Sequence, residues 1–188
     1  TGWDRLNPTS TSNPEPLMYA AASMFNGAFY LFGGWDPGRL GSGGCFSDEV
    51  WRFDVDACEW CLLDDLLPHP VSRHTACRVR DGVVLHTFRG TLFFDGTVVR
   101  EQPTLGTSPD GLSMCACAPL GDDSVVLFGG STRQQDMSSD AYVLDTHTWT
   151  WRRLATDPSR PAPTPRASAC AAPAGPASIL IHGGAGID

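Results

Sequence analysis

The sequence predicts an all-β chain built from repeated four-stranded antiparallel sheets. Apolar runs closed by paired glycines return along the chain, and two of them lead through an alternating stretch to a tryptophan. No segment carries sustained helical periodicity, and the 20 Gly and 15 Pro interrupt the chain too often for a long helix.

The clearest repeat is Phe29-Tyr30-Leu31-Phe32-Gly33-Gly34, Val125-Val126-Leu127-Phe128-Gly129-Gly130 and Ile179-Leu180-Ile181-His182-Gly183-Gly184, with a damaged copy at Val83-Val84-Leu85-His86-Thr87-Phe88-Arg89-Gly90. Their last glycines stand at 34, 90, 130 and 184, a period of about 50 residues. A short run of Val, Leu, Phe and Tyr stopped by glycine predicts a strand buried on both faces, ended by a turn that needs positive φ.

Next comes Ser47-Asp48-Glu49-Val50-Trp51-Arg52-Phe53-Asp54, matched by Ser139-Asp140-Ala141-Tyr142-Val143-Leu144-Asp145. Its alternation predicts a strand with Val50, Arg52 and Asp54 on one face and Trp51 and Phe53 on the other. A hairpin turn then leads to Trp60 in the first copy and to Trp149 and Trp151 in the third, large apolar groups suited to joining neighbouring sheets. A third mark opens the unit, as Pro70-Val71-Ser72-Arg73-His74 and Pro163-Thr164-Pro165-Arg166-Ala167, which sets Arg73 against Arg166. The third unit opens on Pro109-Asp110-Gly111-Leu112-Ser113 without the arginine.

Together these marks resemble the kelch repeats, whose units of about 50 residues each form one blade of a β-propeller. The resemblance implies the end of a preceding blade at 1–6, blades at 14–66, 68–104 and 107–157, and a partial blade at 161–188, an incomplete ring of about three and a half repeats. The second blade is degenerate: it has one glycine, a shortened link to Thr91-Leu92-Phe93-Phe94-Asp95-Gly96, and no tryptophan. Gly33, Gly34, Trp51, Trp60, Arg73, His74, Gly129, Gly130, Trp149, Arg166, Gly183 and Gly184 are the structural motif residues. Each repeat buries its faces only against neighbours, so further repeats in a longer chain or self-association are expected, a closed four-bladed ring being the alternative.

The net charge of -8 disfavours a phosphate backbone as partner, and a basic or neutral surface fits better. All 13 positive charges are Arg, which excludes a Schiff-base or P-loop lysine. No apolar window reaches the length of a membrane span, and the start lacks signal-peptide features and begins on Thr1, which reads as a processing or fragment boundary. Seven cysteines, an odd number without scaffold spacing, predict free thiols in a reducing, cytoplasmic setting.

Chemistry-bearing clusters are few. Cys58-Glu59-Trp60-Cys61 has no second pair to complete a metal site, and Cys115 and Cys117 share a strand face as core fillers. No metal or cofactor is expected. His74 is expected to make structural hydrogen bonds, His182 and His86 to be satisfied and partly buried, and His69, His147, Asp64-Asp65 and Asp122-Asp123 to be solvated in turns. Glycines 38, 41, 43 and 44 do not precede a helix, so they form no phosphate cradle.

Function is therefore expected in the loops that leave the blades. One spans 35–46 and carries Trp35, Asp36 and Arg39; its counterpart at 131–138 carries Arg133, Gln134 and Asp136. Trp35 either anchors a partner or packs over its own strand end. The resemblance implies a protein–protein interaction module, an adaptor or scaffold, with part of a propeller enzyme (oxidase, sugar-acid epimerase or specifier protein) as the alternative. The oxidase needs a tyrosine, histidine and cysteine set that Tyr19, Tyr30 and Tyr142 do not readily supply.

Overall fold

The computed structural model describes residues 2–38, 44–157 and 159–186. The described residues form strands, turns and loops, with no helix. The first sheet orders β1 (Ala21–Phe25), β2 (Ala28–Asp36), β3 (Cys45–Asp54) and β4 (Glu59–Leu62), all antiparallel. The second repeats this with β5 (Thr75–Val79), β6 (Gly82–Thr87), β7 (Gly90–Phe94) and β8 (Val99–Glu101). In the third, β9 (Leu105–Gly106) lies parallel to the outer edge of β13 (Thr150–Arg153), beyond β10 (Ala116–Pro119), β11 (Ser124–Phe128) and β12 (Ala141–Asp145). The last part holds two pairs, β14 (Arg166–Ala167) with β17 (Ala185–Gly186) and β15 (Cys170–Gly175) with β16 (Ser178–His182). Residues 2–6 form no strand: Trp3 is fully exposed, and a strand needs a sheet edge to pair with.

Local chemistry fixes the turns. Asn26 and Gly27, at φ 47° and 77°, make the two-residue hairpin that joins β1 to β2. The turn before each fourth strand is closed by an aspartate: Asp54 accepts from the Asp56 and Ala57 amides, Asp95 from Thr97 and Val98, and Asp145 from His147 and Thr148. Those hydrogen bonds hold all three carboxyls below the usual range. The degenerate second repeat thus keeps the turn aspartate that the others have.

The paired glycines mark where one blade meets the next. Gly33 and Gly129 have φ of 49° and 69°, and a Cβ there would sit 2.7 Å from the Val71 carbonyl oxygen and 2.4 Å from that of Arg166. Their neighbours donate to the same carbonyls, Gly34 to Val71 and Gly130 to Arg166. Val71 and Arg166 are therefore equivalent, and the alignment of Arg73 with Arg166 is two residues out of register. The equivalents of Arg73 are Tyr19, Met114 and Ser168, non-glycine residues held at φ 55–59° just before a first strand. Each donates its amide to the carbonyl of the one before: Arg73 to Tyr19, Met114 to Arg73, and Ser168 to Met114. This chain of hydrogen bonds runs from blade to blade and explains the strained backbone at each step.

Between blades the core is continuous. Phe25, Tyr30, Phe32 and Val50 of the first sheet pack on Val83, Leu85, Leu92 and Phe94 of the second, with ring centroids of Tyr30 and Phe32 4.8 and 5.4 Å from Phe94. On the second sheet's other face, Cys77, Val79 and Val84 meet Leu127, Leu144 and Trp151 of the third. Trp151 is buried and donates its indole N–H to the Thr91 hydroxyl at 3.1 Å, and Trp149 meets Phe93 edge to face. The second sheet lacks a tryptophan, and the following blade's tryptophans seal its face. Trp60 holds the place of Trp151 in the first blade, opposite Phe53 as Trp151 is opposite Leu144, but packs on its own sheet's Phe29 and Phe53 and is only half-buried.

Three histidines, His69, His86 and His182, differ from expectation in their burial. His74 and His86 are buried, and burial pushes each down to about 4, outweighing the backbone hydrogen bonds of His74 with Phe32 and of His86 with Leu112 that act to raise them. His86 packs edge to face on Trp151, its ring filling apolar space. His182 is exposed, because β16 is paired on one side only among the described residues. His69 is half-buried with Nε2 enclosed, and Asp123 is no free turn carboxylate: Arg80 donates to it at 2.9 and 2.7 Å, tying the second blade to the third.

Candidate functional site

In each antiparallel blade the turns β1–β2, β5–β6 and β10–β11 fall at one end, and the β2–β3, β6–β7 and β11–β12 links fall at the other. The links differ in length. β2 and β3 are separated by residues 37–44 and β11 and β12 by 129–140, whereas β6 and β7 are joined by Phe88 and Arg89 alone. Thr87 closes that short turn by donating to the Gly90 carbonyl and accepting from the Arg89 amide. A short turn between two longer loops leaves a recess above it.

That recess is a cavity of about 510 Å³. Phe46 borders it from the first blade, Phe88 and Arg89 from the second, and Ser131, Thr132, Arg133 and Gln135 from the third. Tyr19, Arg73 and Met114, three links of the blade-to-blade chain, line it too. The Arg73 guanidinium lies 5.1 Å from the Tyr19 ring centroid and that of Arg133 lies 4.4 Å from Phe88. His69 sits in the wall, its basicity lowered by burial and then by Arg89. Thr132 shapes its loop by donating its amide to the Asp136 carbonyl while its hydroxyl accepts from the Asp136 amide.

Of the residues the sequence proposes for binding, Arg133 lines this cavity, while Gln134 and Asp136 are exposed in the same loop outside the lining. Trp35 is half-buried, bridged to Met18 by two backbone hydrogen bonds, and its indole lies over Gly44, where a Cβ would sit 2.5 Å from the ring. It therefore covers its own strand end. Asp36 accepts from the Gly38 amide, and Arg39 falls outside the described residues. Tyr19, Phe88, Arg89 and Met114 are not among the binding residues the sequence proposes, Phe46 enters there only as the end of the 35–46 loop, and Arg73 stands there as a structural residue.

The cavity brings together cations, aromatic faces and hydroxyls. The cysteines lie elsewhere: Cys115 is buried and pushed up to about 12, Cys117 lies in contact with Cys77, and Cys61 is in β4 with Cys58 just before it. Among the described residues no three His, Cys, Asp or Glu side chains converge as metal ligands would.

The Kelch motif family matches residues 16–67, the stretch that contains the first sheet, and the solved structure of YjhT, a kelch-type propeller, superposes with a TM-score of 0.71 over 91% of this chain. The chain carries a Kelch motif and has the fold of kelch-type propeller blades. YjhT shares 19% sequence identity and this chain covers 60% of it, so the likeness is one of fold. Two curated proteins are similar to these kelch blades. Dynein regulatory complex subunit 7 of Chlamydomonas reinhardtii is 32% identical over 112 residues, 52% of this chain and 9% of that protein. Acyl-CoA-binding domain-containing protein 4 of Arabidopsis thaliana is 29% identical over 167 residues, 80% of this chain and 25% of that protein. The kelch chain thus spans a quarter or less of either relative's length.

Proposed function

We propose that this kelch segment is a protein-interaction module, an adaptor or scaffold, that holds its partner at the loop end of the blades. The observation that carries the reading is the cavity over the short β6–β7 turn, whose walls come from the three successive blades. Its Arg73, Arg89 and Arg133 side chains are exposed, and with Phe46 they add charge and aromatic area to a rigid frame. Similarity to a dynein regulatory complex subunit, by name part of an assembly, agrees with such a role.

The reading includes neighbours for the terminal faces. Phe29 and Trp60 of the first blade are half-buried where the equivalent Val125 and Trp151 of the third blade are sealed by the second. We infer that further kelch repeats or a second copy covers them, and that the protein works in a reducing, cytoplasmic setting.

The test is affinity capture with the full-length protein, followed by titration of the purified partner against Thr132→Ala, Phe46→Ala and Arg133→Ala. A true anchor weakens binding by about 2 kcal/mol or more. Trp35→Ala serves as a control, lowering stability while affinity per folded molecule holds. Unchanged affinity in all three cavity variants would reject this face. Turnover of a sugar acid or a nitrile with no protein partner would instead favour the enzyme alternative.

A further inference from the structure

We propose that the mouth cavity takes the carboxylates of an acidic segment of the partner protein. The proposal rests on the interaction reading above and gives the partner its chemistry. Arg73, Arg89 and Arg133 line the cavity together with His69, and no Asp or Glu is among the lining residues. This is a local reversal of charge, since acidic residues outnumber basic ones 21 to 13 in the whole chain.

Five arginines elsewhere are paired: Arg52 with Asp54, Arg80 with Asp123, Arg100 with Asp95, Arg153 with Asp140 and Arg160 with Asp157. None of the three cavity arginines makes such a pair among the described residues. Arg73 and Arg133 lie instead against aromatic faces. Contact with a ring steadies the guanidinium and leaves N–H groups to donate to a carboxylate in the paired geometry that arginine favours. Arg89 also borders a second cavity, of about 260 Å³, with Glu101 and Asp110, whereas Arg73 and Arg133 do not line it. The cationic character is therefore concentrated where the first and third blades face each other across the short turn.

A peptide fits the remaining wall better than a free small anion. Tyr19 and Phe46 stand 46% and 57% exposed beside the arginines, and Met114 adds thioether surface. A bare phosphate would touch none of these apolar groups. A chain that sets acidic side chains on the arginines can cover them as well.

The test uses the full-length protein and a fluorescein-labelled peptide of alternating Gly and Glu, with its Gly and Gln counterpart, and with free glutamate and inorganic phosphate as competitors. Anisotropy titration should show the Glu peptide bound about tenfold or more tightly than the Gln peptide, with affinity falling as salt rises. Arg133→Gln and Arg73→Gln should each weaken it by about tenfold, and Arg133→Lys should restore part of the loss. Circular dichroism and the melting temperature check that each variant is folded, and Arg133 in its exposed loop keeps the test alive should Arg73→Gln fail to fold. Equal binding of the two peptides, no binding of the Glu peptide, or folded arginine variants that bind like the parent would overturn the proposal. So would displacement by phosphate or glutamate at concentrations equal to the peptide's, which would mark a small-anion pocket. A captured partner whose binding depends on Thr132 and Phe46, but not on salt or the arginines, would sink the acidic chemistry and leave the interaction reading standing.

Discussion

Trp60 and Trp151 are one residue of the repeat in two environments, so replacing each by alanine measures what a neighbouring blade contributes. Trp151 is 1% exposed, with His86 against its ring and its indole N–H on Thr91. A fully buried aromatic removes about 150–250 Å² from water, or about 4–6 kcal/mol at about 25 cal/mol per Å². Truncation to alanine recovers part of that by local collapse, and measured Trp→Ala costs run at about 3–5 kcal/mol. The Thr91 hydroxyl, itself 6% exposed, would also lose its partner, at about 1–3 kcal/mol if no water enters. Trp151→Ala should therefore cost about 4 kcal/mol or more, a large share of a domain's whole stability.

Trp60→Ala should cost about half of that or less, because one side of its ring meets only its own blade. Thr91→Val isolates the polar part, keeping the volume while leaving the indole N–H unpaired, and should cost about 1–3 kcal/mol. Urea unfolding followed by tryptophan fluorescence and by circular dichroism gives all three values on one scale. Equal losses for Trp60→Ala and Trp151→Ala would refute the claim that burial between blades, rather than membership of the repeat, sets the energy.

Three further outcomes are expected. His74 and His86 are lowered from the ordinary 6.5 to about 4, so the unfolded chain binds more protons between those values; stability should be fully present above pH 6.5 and fall towards pH 4, by roughly 3 kcal/mol per histidine, and His86→Leu should flatten an acid titration of the melting temperature. Gly130→Ala places a Cβ 2.5 Å from the Cys115 sulfur at φ 97° and should destabilise by about 2 kcal/mol or more, whereas at Gly27, where the added Cβ meets nothing within 4 Å, the cost should stay near 1 kcal/mol in the same unfolding experiment. The purified chain should self-associate through its terminal apolar faces, and a monodisperse monomer in analytical ultracentrifugation with a cooperative high-temperature melt would instead support the closed ring.

The blades were legible because their signals are local. An apolar run needs only its own residues to declare a buried strand, and paired glycines declare a turn that β-carbons cannot enter. What the sequence hid is what depends on a neighbour. Pro-x-x-Arg at 73 and at 166 looks like one motif, yet Val71 and Arg166 are the residues whose carbonyls receive a glycine amide, and no spacing rule within a unit reveals that contact across blades. The full burial of His86 depends on a neighbour in the same way. His86 sits in an apolar run that would normally exclude it, and only the following blade's Trp151 shows how its ring is used.

The candidate site extends this logic. Within the second repeat the missing glycine and shortened link look like decay, and they carry no functional signal on their own. Set between the longer loops of the first and third repeats, the two-residue turn Phe88-Arg89 becomes a floor, and its shortness opens the cavity above it. Arg73, Arg89 and Arg133 are far apart in the chain and occupy three different places in the repeat, so neither charge runs nor repeat alignment could group them. A degenerate repeat costs a propeller little stability when its neighbours supply the missing aromatic area, as Trp149 and Trp151 do for the second blade. That release from the packing constraint leaves the short turn free to carry an exposed arginine, and it makes the least typical blade the one around which a binding face can form.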